Sequence, residues 1–375
     1  MNEKIARFFA ERRPATPCLV LDLDVVEENY TALAHALPEA RIYYAVKANP
    51  APHILKLLAR LGSSFDCASV QEIDMVLAAG GKPADISFGN TIKKQSDIAR
   101  AYERGVRLYA FDSIAELDKI AVAAPGARVF CRILTSGEGA EWPLSLKFGC
   151  SPAMAKELLL QAAGKGVVPF GVSFHVGSQQ RDPSQWNAAL ATTAQLFREL
   201  EAEGVELKMV NLGGGFPTRY RNDIPSAEAY GRAIFKALRT HFGNRIPETI
   251  VEPGRGMVGN AGVIESEVVL ISRKGGDDDR RWVYLDIGKF GGLAETMDEA
   301  IQYRIECERT GESERVILAG PSCDSADVLY EKADYRLPVD LQIGDRLRID
   351  ATGAYTTTYA SIGFNGFPPL EEHYI

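Results

Sequence analysis

RIYYAVKANP, residues 41–50, decides how the rest of the chain is read. Ile42 to Val46 form a short apolar run of aromatic and β-branched residues, the composition of a buried strand. Lys47 follows without a break, and Asn49-Pro50 closes the run with a turn signal. A lysine at a strand end is ordinarily a snorkelling side chain, its ammonium in water and its stem on apolar surface. It acquires another meaning only when reactive residues stand at the same end of other strands.

Outward from this stretch the pattern repeats. Short apolar runs occur at 42–46, 63–67, 85–89, 107–111, 128–133, 170–176, 207–212 and 248–252. Between them lie amphipathic segments such as PHILKLLARLG, VQEIDMVLAAGG and NAALATTAQLFRELEAEG, several ending in the glycine that caps a helix C-terminus. Eight strand–helix alternations of this length predict an α/β fold whose core is a parallel (β/α)8 TIM barrel. VVEENYTALAHAL reads as an extra helix before the first barrel strand. Beyond EPGRGMVGNAG the texture becomes β-rich, as in GVIESEVVLISRKG and YRLPVDLQIGDRLRID, which predicts a C-terminal antiparallel β domain. CLVLDLD (18–24), with no helix expected before it, is assigned to that domain as its N-terminal strand. The expected division is a barrel over 23–261 and a β-sandwich or β-barrel-like domain over 1–22 and 262–375.

The chain of 375 residues carries a formal charge of −8, which speaks against nucleic-acid and anionic-membrane partners and suits a cationic substrate. Its six cysteines form no CxxC pair and no metal-like spacing, so no metal site is expected, and their scatter is that of a reducing cytoplasm. No apolar run is long enough to cross a bilayer, and the first residues lack an apolar signal core; the expectation is a soluble cytoplasmic protein.

In a barrel of this kind active sites lie at the C-terminal ends of the strands. Those ends carry Lys47, Asp66, Asp112, Arg132, His175, the glycines Gly213, Gly214 and Gly215, and Glu252 with Arg255. A semi-buried lysine loses its proton and condenses with a carbonyl compound. The triple glycine of NLGGGFP permits close backbone approach and offers N–H groups to a phosphate, and Arg255 is a second phosphate partner. A carbonyl together with a phosphate describes pyridoxal 5′-phosphate, whose ring nitrogen needs a carboxylate; Glu252 supplies one. His175 reads equally as a group lying against the ring and as a satisfied core histidine. Asp112 and Ser113 read as a helix start alone, Ser113 and Glu116 having capping-box spacing.

YYAVKANP, FDCAS, VSFHVGS, NLGGGFP, EPGRGMV, GPSCDSAD and GAYTTTYASIGFNGF stand in an order and spacing that resemble the fold type III, alanine-racemase-like pyridoxal-phosphate decarboxylases, in their ornithine/lysine branch, over about residues 18 to 368. The resemblance implies that Lys47 is the Schiff-base lysine, that Asp66 and Glu72 support that side of the site, and that Arg132 lies near the ring hydroxyl. It implies His175 stacked on the pyridine, Glu252 on the ring nitrogen, and Ser178, Gly213 to Gly215, Arg255 and Tyr355 on the phosphate. In the β domain it makes Cys323 the thiol that protonates the substrate α-carbon and Asp324 the carboxylate for the distal ammonium. It further implies a homodimer whose sites are shared across the interface, with Lys147 and Asp327 pairing there.

A second ammonium-binding acid is expected in GGLAETMDEA, with Asp298 the choice and Glu295 and Glu299 its competitors; Phe364 of FNGF is the remaining substrate-binding residue. The implied reaction is decarboxylation of L-ornithine to putrescine in polyamine biosynthesis, with L-lysine to cadaverine as a second activity. The alternatives are diaminopimelate or carboxynorspermidine as substrate, a non-catalytic decarboxylase-like regulator, or a racemase of the same fold. Asp324 and FNGF weigh against diaminopimelate. A regulator would be expected to lose cofactor ligands, and this chain keeps them.

Overall fold

A computed structural model describes residues 2–142, 146–276 and 278–375. The chain divides into two compact units, one of Glu27–Pro217 with Ile224–Met257, the other of the segment up to Val26 with Thr218–Asp223 and Val258–Ile375. The excursion Thr218–Asp223 falls within the span expected to be barrel. Its residues are bound instead by partners of the second unit: Tyr220 packs edge-on against Tyr303, and Arg221 lies over the Tyr335 ring.

The first unit is a closed parallel barrel of eight strands: β1 (Ala40–Ala45), β2 (Ser64–Cys67), β3 (Ile86–Phe88), β4 (Leu108–Phe111), β5 (Arg128–Arg132), β6 (Val168–Ser173), β7 (Met209–Asn211) and β8 (Glu248–Val251). Each neighbours the next in sequence, and β8 closes on β1 with Val251 opposite Ile42. Tyr43, Leu108, Ala110, Phe130, Phe170, Met209 and Ile250 pack as one buried cluster, so the strands' aromatic and branched residues fill a core. The helices between follow the expected segments. Pro52–Leu61 starts with proline at its first turn, buries Ile54, Leu55, Leu57 and Leu58, and stops at Gly62, whose φ of +88° is the left-handed cap. Leu23–Ala36 is the extra helix before the barrel, and it bridges the boundary between the two units.

The second unit is a predominantly antiparallel sheet of eight strands. Cys18–Leu21 joins it, antiparallel to Gly262–Gly275 and parallel to Glu371–Tyr374, so the N-terminal strand belongs there as the sequence predicts. A helix does precede that strand, contrary to expectation. Glu3–Arg12, capped by Asn2, lays Ile5 and Phe9 over Cys18, Val20 and Val263. Among the described residues no helix is long and apolar enough to cross a membrane.

Candidate active site

Two of the expected strand-end placements are corrected by the backbone. β1 stops at Ala45, and Lys47 sits in a single 3-10 turn, Val46–Ala48, where it is exposed rather than semi-buried. Asn49, before Pro50, follows that turn in extended backbone, and the Ala45 N–H donates to the Pro253 carbonyl at 2.9 Å, tying the lysine turn to the one after Glu252. β6 ends at Ser173, two residues before His175, and the chain turns at Gly177, with φ +97°.

The barrel end nevertheless gathers the charged residues into one field. Asp66, on β2, is buried, and its carboxyl is held well above the usual range by burial and then by Glu252, with Lys47 and Arg132 pulling the other way. Gly89 leaves room for it: a Cβ there would meet Asp66 Oδ1 at 1.9 Å. Among the described residues that oxygen, though buried, has no hydrogen-bond partner. Burial, Arg132 and Lys47 together hold His175 well below its ordinary value. The Gly177 N–H donates to its Nδ1 at 2.9 Å, which places the proton of the neutral ring on Nε2. Arg132 is lowered by burial, against Glu252, Asp112 and Asp66, and its guanidinium lies 5.2 Å from the centre of the Phe148 ring. Glu72 is raised by burial and accepts at 2.6 Å the N–H of Ala68, one residue before the Ser69 cap, while its own N–H donates to Ser69 Oγ.

Beside them lies the glycine turn. Gly213 and Gly215 have φ of +66° and +106°, and a Cβ at Gly213, Gly214 or Gly215 would come within 2.2, 2.6 or 2.6 Å of a backbone oxygen. No other residue fits any of the three positions. Gly215 O accepts the Gln180 N–H, which brings the strand Ser178–Gln180 alongside; Ser178 Oγ is 3.2 and 3.3 Å from the guanidinium of buried Arg255.

The second unit holds the remaining expected residues. Cys323 and Asp324 are exposed; the Cys323 N–H donates to Asn365 Oδ1 at 2.9 Å, and Asp324 Oδ1 accepts from the Ala326 N–H. Phe364 packs on Phe290 with ring centres 4.8 Å apart, along an apolar pocket of about 330 Å³. In the 295–299 turn Glu295 is buried, while Glu299 accepts three backbone N–H groups, from Glu331, Lys332 and Ala333. Asp298 is exposed, at φ +53°. Tyr355 belongs to this unit and also has a left-handed φ, +55°. Asp327 is buried and accepts the N–H groups of Lys289 and Ser322, with Gly288 and Gly320 making room for it. Within one chain its work is to hold the Cys323 loop.

Residues 23–259 match the pyridoxal binding domain of the pyridoxal-dependent decarboxylases. The chain belongs to the pyridoxal-dependent decarboxylase family. It is 37% identical to the lysine/ornithine decarboxylase of Selenomonas ruminantium over 98% of this chain and 91% of that one. It is also 32% identical to antizyme inhibitor 2 of Xenopus laevis, over 100% and 84%. The solved lysine/ornithine decarboxylase of Vibrio vulnificus, complexed with cadaverine, superposes with a TM-score of 0.88 at 29% identity, covering 99% and 97%.

Pyridoxal phosphate is the family's cofactor, and the residues present fit it. An amine, Lys47, answers its aldehyde, and the glycine turn with Ser178 and Arg255 answers its phosphate. The Glu252 carboxylate answers a protonated ring nitrogen, beside buried Asp66, whose Oδ1 has no hydrogen-bond partner among the described residues. Among the described residues no cluster would hold a metal ion.

Several site features carried no decisive sequence signal. Asp112 does more than begin a helix: its Oδ2 accepts the Gly149 N–H at 2.7 Å, fixing the loop that carries Phe148. Glu116 does not complete a capping box, since its carboxylate is drawn to Lys93 at 3.0 Å and Lys119 at 2.5 Å. Asn211 bonds both Gly213 and Glu252. A buried amide closing a strand, in NLGGGFP, was the available clue.

Proposed function

We propose that this decarboxylase converts L-ornithine to putrescine and carbon dioxide, with L-lysine to cadaverine as a second activity, as a cytoplasmic homodimer that shares its active sites. The observation that carries the substrate reading is the disposition of acids in the second unit. Glu299 is consumed by three backbone N–H groups and Glu295 is buried, which leaves Asp298 as the exposed acid of its turn, while Asp324 is exposed beside Cys323. Two exposed carboxylates suit a substrate whose far end is an ammonium; a substrate with a distal carboxylate would need a cation there.

Bound pyridoxal phosphate supplies an electron sink for the pair left behind by the departing carboxylate. The chain's residues do the rest. Lys47 Nζ holds the cofactor's aldehyde carbon, and the Gly213–Gly215 turn, Ser178, Arg255 and Tyr355 hold its phosphate. Glu252 keeps the ring nitrogen protonated, which a carboxylate can do and an amide cannot. His175, neutral because of burial and two nearby cations, lies against the ring without adding charge. Arg132 and Asp66 flank the ring, and Phe364 packs along the substrate's carbon chain. Cys323 Sγ returns a proton to the α-carbon. In the dimer, Cys323 and Asp324 of one subunit serve the barrel of the other; the pairing of Lys147 with Asp327 that the resemblance implied is not carried over, because Asp327 is buried and held by the Lys289 and Ser322 N–H groups of its own chain.

The test is kcat/KM of the purified enzyme on ornithine, lysine, diaminopimelate, arginine and carboxynorspermidine, with light scattering for the dimer. Ornithine first and lysine second is expected. Ornithine and lysine differ by one methylene, worth about 1–3 kcal/mol, so their rates should separate by roughly 10- to 200-fold at most. Turnover of neither removes the substrate assignment. A regulator, as the name of the Xenopus relative raises, would show no turnover of any of the five.

A further inference from the structure

Asn211 closes β7 with its side chain buried at 1% exposure, and a polar group in such a place needs partners for both ends of its amide. Its Oδ1 accepts the Gly213 N–H at 2.9 Å. That donor fixes the orientation of the amide, because a backbone N–H cannot accept. Nδ2 therefore faces Glu252, to whose Oε1 it donates at 2.5 Å. The Glu252 N–H in turn donates to Gly213 O at 2.8 Å, closing a ring of Asn211, Gly213 and Glu252. The ring is anchored on both sides. Phe174 N–H donates to Asn211 O, and Trp186 Nε1 to the carbonyl of the next residue, Leu212.

We propose that Asn211 is the positioning residue of the cofactor site: one amide holds the Glu252 carboxylate and the first N–H of the glycine turn in fixed relation. The inference rests on Glu252 and the Gly213–Gly215 turn being the ring-nitrogen and phosphate anchors. By engaging Oε1, Asn211 sets the plane of the carboxylate and hence the direction of Oε2. By accepting from Gly213 it aims the turn. A cofactor whose ring and phosphate are one rigid piece needs both anchors set together, and a single buried amide does that without adding charge. Charge is what the site cannot take more of. Glu252 already acts on Asp66 and Arg132, and Lys47, Glu72, Asp112 and His175 stand in the same field.

The test is pyridoxal phosphate affinity of the cofactor-free protein, followed by visible absorbance, for wild type, Asn211→Ala, Asn211→Asp and the control Asn29→Ala. Asn29 donates its amide to the Met257 carbonyl in the same unit, so its loss reports a hydrogen bond removed without touching the ring. Asn211→Ala is expected to bind the cofactor roughly 10- to 100-fold more weakly, since hydrogen bonds to charged groups are worth that much, with thermal stability changed no more than in the control. Asn211→Asp keeps the acceptor for Gly213 but sets a second carboxyl against Glu252. As pH falls the pair takes up one proton and the O–H replaces the lost amide donor; as pH rises the two carboxylates repel. Its affinity, taken as a ratio to wild type at each pH to cancel the cofactor's own titration, should approach one in acid and fall in base.

Equal affinity for wild type and Asn211→Ala overturns the positioning role. So does a flat ratio for Asn211→Asp, which is the deciding variant if Asn211→Ala does not fold. Wild type that takes up no pyridoxal phosphate overturns the cofactor-site reading, and this inference with it.

Discussion

Burial strips the Asp66 carboxyl of water, and Glu252 adds a second negative charge to its surroundings. Without cofactor the folded chain therefore holds a proton on Asp66 that the unfolded chain releases near the ordinary carboxylate value. A folded pKa above the unfolded one contributes stability that is fully present in acid and is lost as pH rises through the folded value. Asp66→Asn, which has no charge to desolvate, should thus make the cofactor-free protein more stable than wild type by about 1 kcal/mol in mildly alkaline buffer. The gap should close as the pH falls below the ordinary carboxylate range; thermal denaturation across pH measures both. The same variant should bind pyridoxal phosphate less well. A variant no more stable in alkaline buffer would mean that Asp66 is not strained by its neighbours. Sequence alone could nominate Asp66, Glu252 and Lys47, because each is a reactive residue type closing an apolar run. Asn211 also closes one, yet it gave no such signal: an amide has no titration to suggest chemistry, and its bond to Glu252 spans 41 residues.

At the scale of elements the glycine turn gives the sharpest contrast. A Cβ at Gly214 would stand 2.6 Å from the Glu252 carbonyl oxygen and 3.4 Å from His175 Nε2, so Gly214→Ala must move the backbone that carries Glu252. Gly62 also ends an element, at φ +88°, but a Cβ there meets nothing within 4 Å. Both substitutions should lower the melting temperature, each by an amount equivalent to about 1–3 kcal/mol. Only Gly214→Ala should weaken cofactor binding, and a cofactor titration beside the melting curve separates the two effects. Equal binding by both variants would mean that the turn serves only as a connection out of β7. The eight barrel strands were legible because each is an apolar run flanked by turn residues. The exact seats of Lys47 and His175 were not, because a 3-10 turn and a strand that stops two residues early depend on hydrogen bonds to other strands. The same holds for the Glu116 carboxylate: the Ser113 cap that the spacing predicts forms, but the carboxylate goes to two lysines brought near by the fold instead of back to the cap.

For the whole molecule, what sequence conveyed least was which piece belongs to which unit. CLVLDLD could be assigned to the β domain because it stands outside the strand–helix alternation, but nothing in Thr218–Asp223 announces that it leaves the barrel's unit. Removing the residues up to Asp22 should leave Gly262–Gly275 and Glu371–Tyr374 without the strand between them and uncover Val263. Such a truncation is expected to be largely insoluble or cut rapidly by protease within 262–375. A soluble, protease-resistant product would show the strand to be dispensable. That same strand has a consequence for how the protein is made. Cys18–Leu21, fully buried when folded, leaves the ribosome long before either partner exists; at usual synthesis rates it waits on the order of ten seconds or more. For that interval four apolar residues stand as an unpaired edge while the barrel is completed behind them. Anything that shields this tetrapeptide during translation therefore protects the chain before the finished fold can.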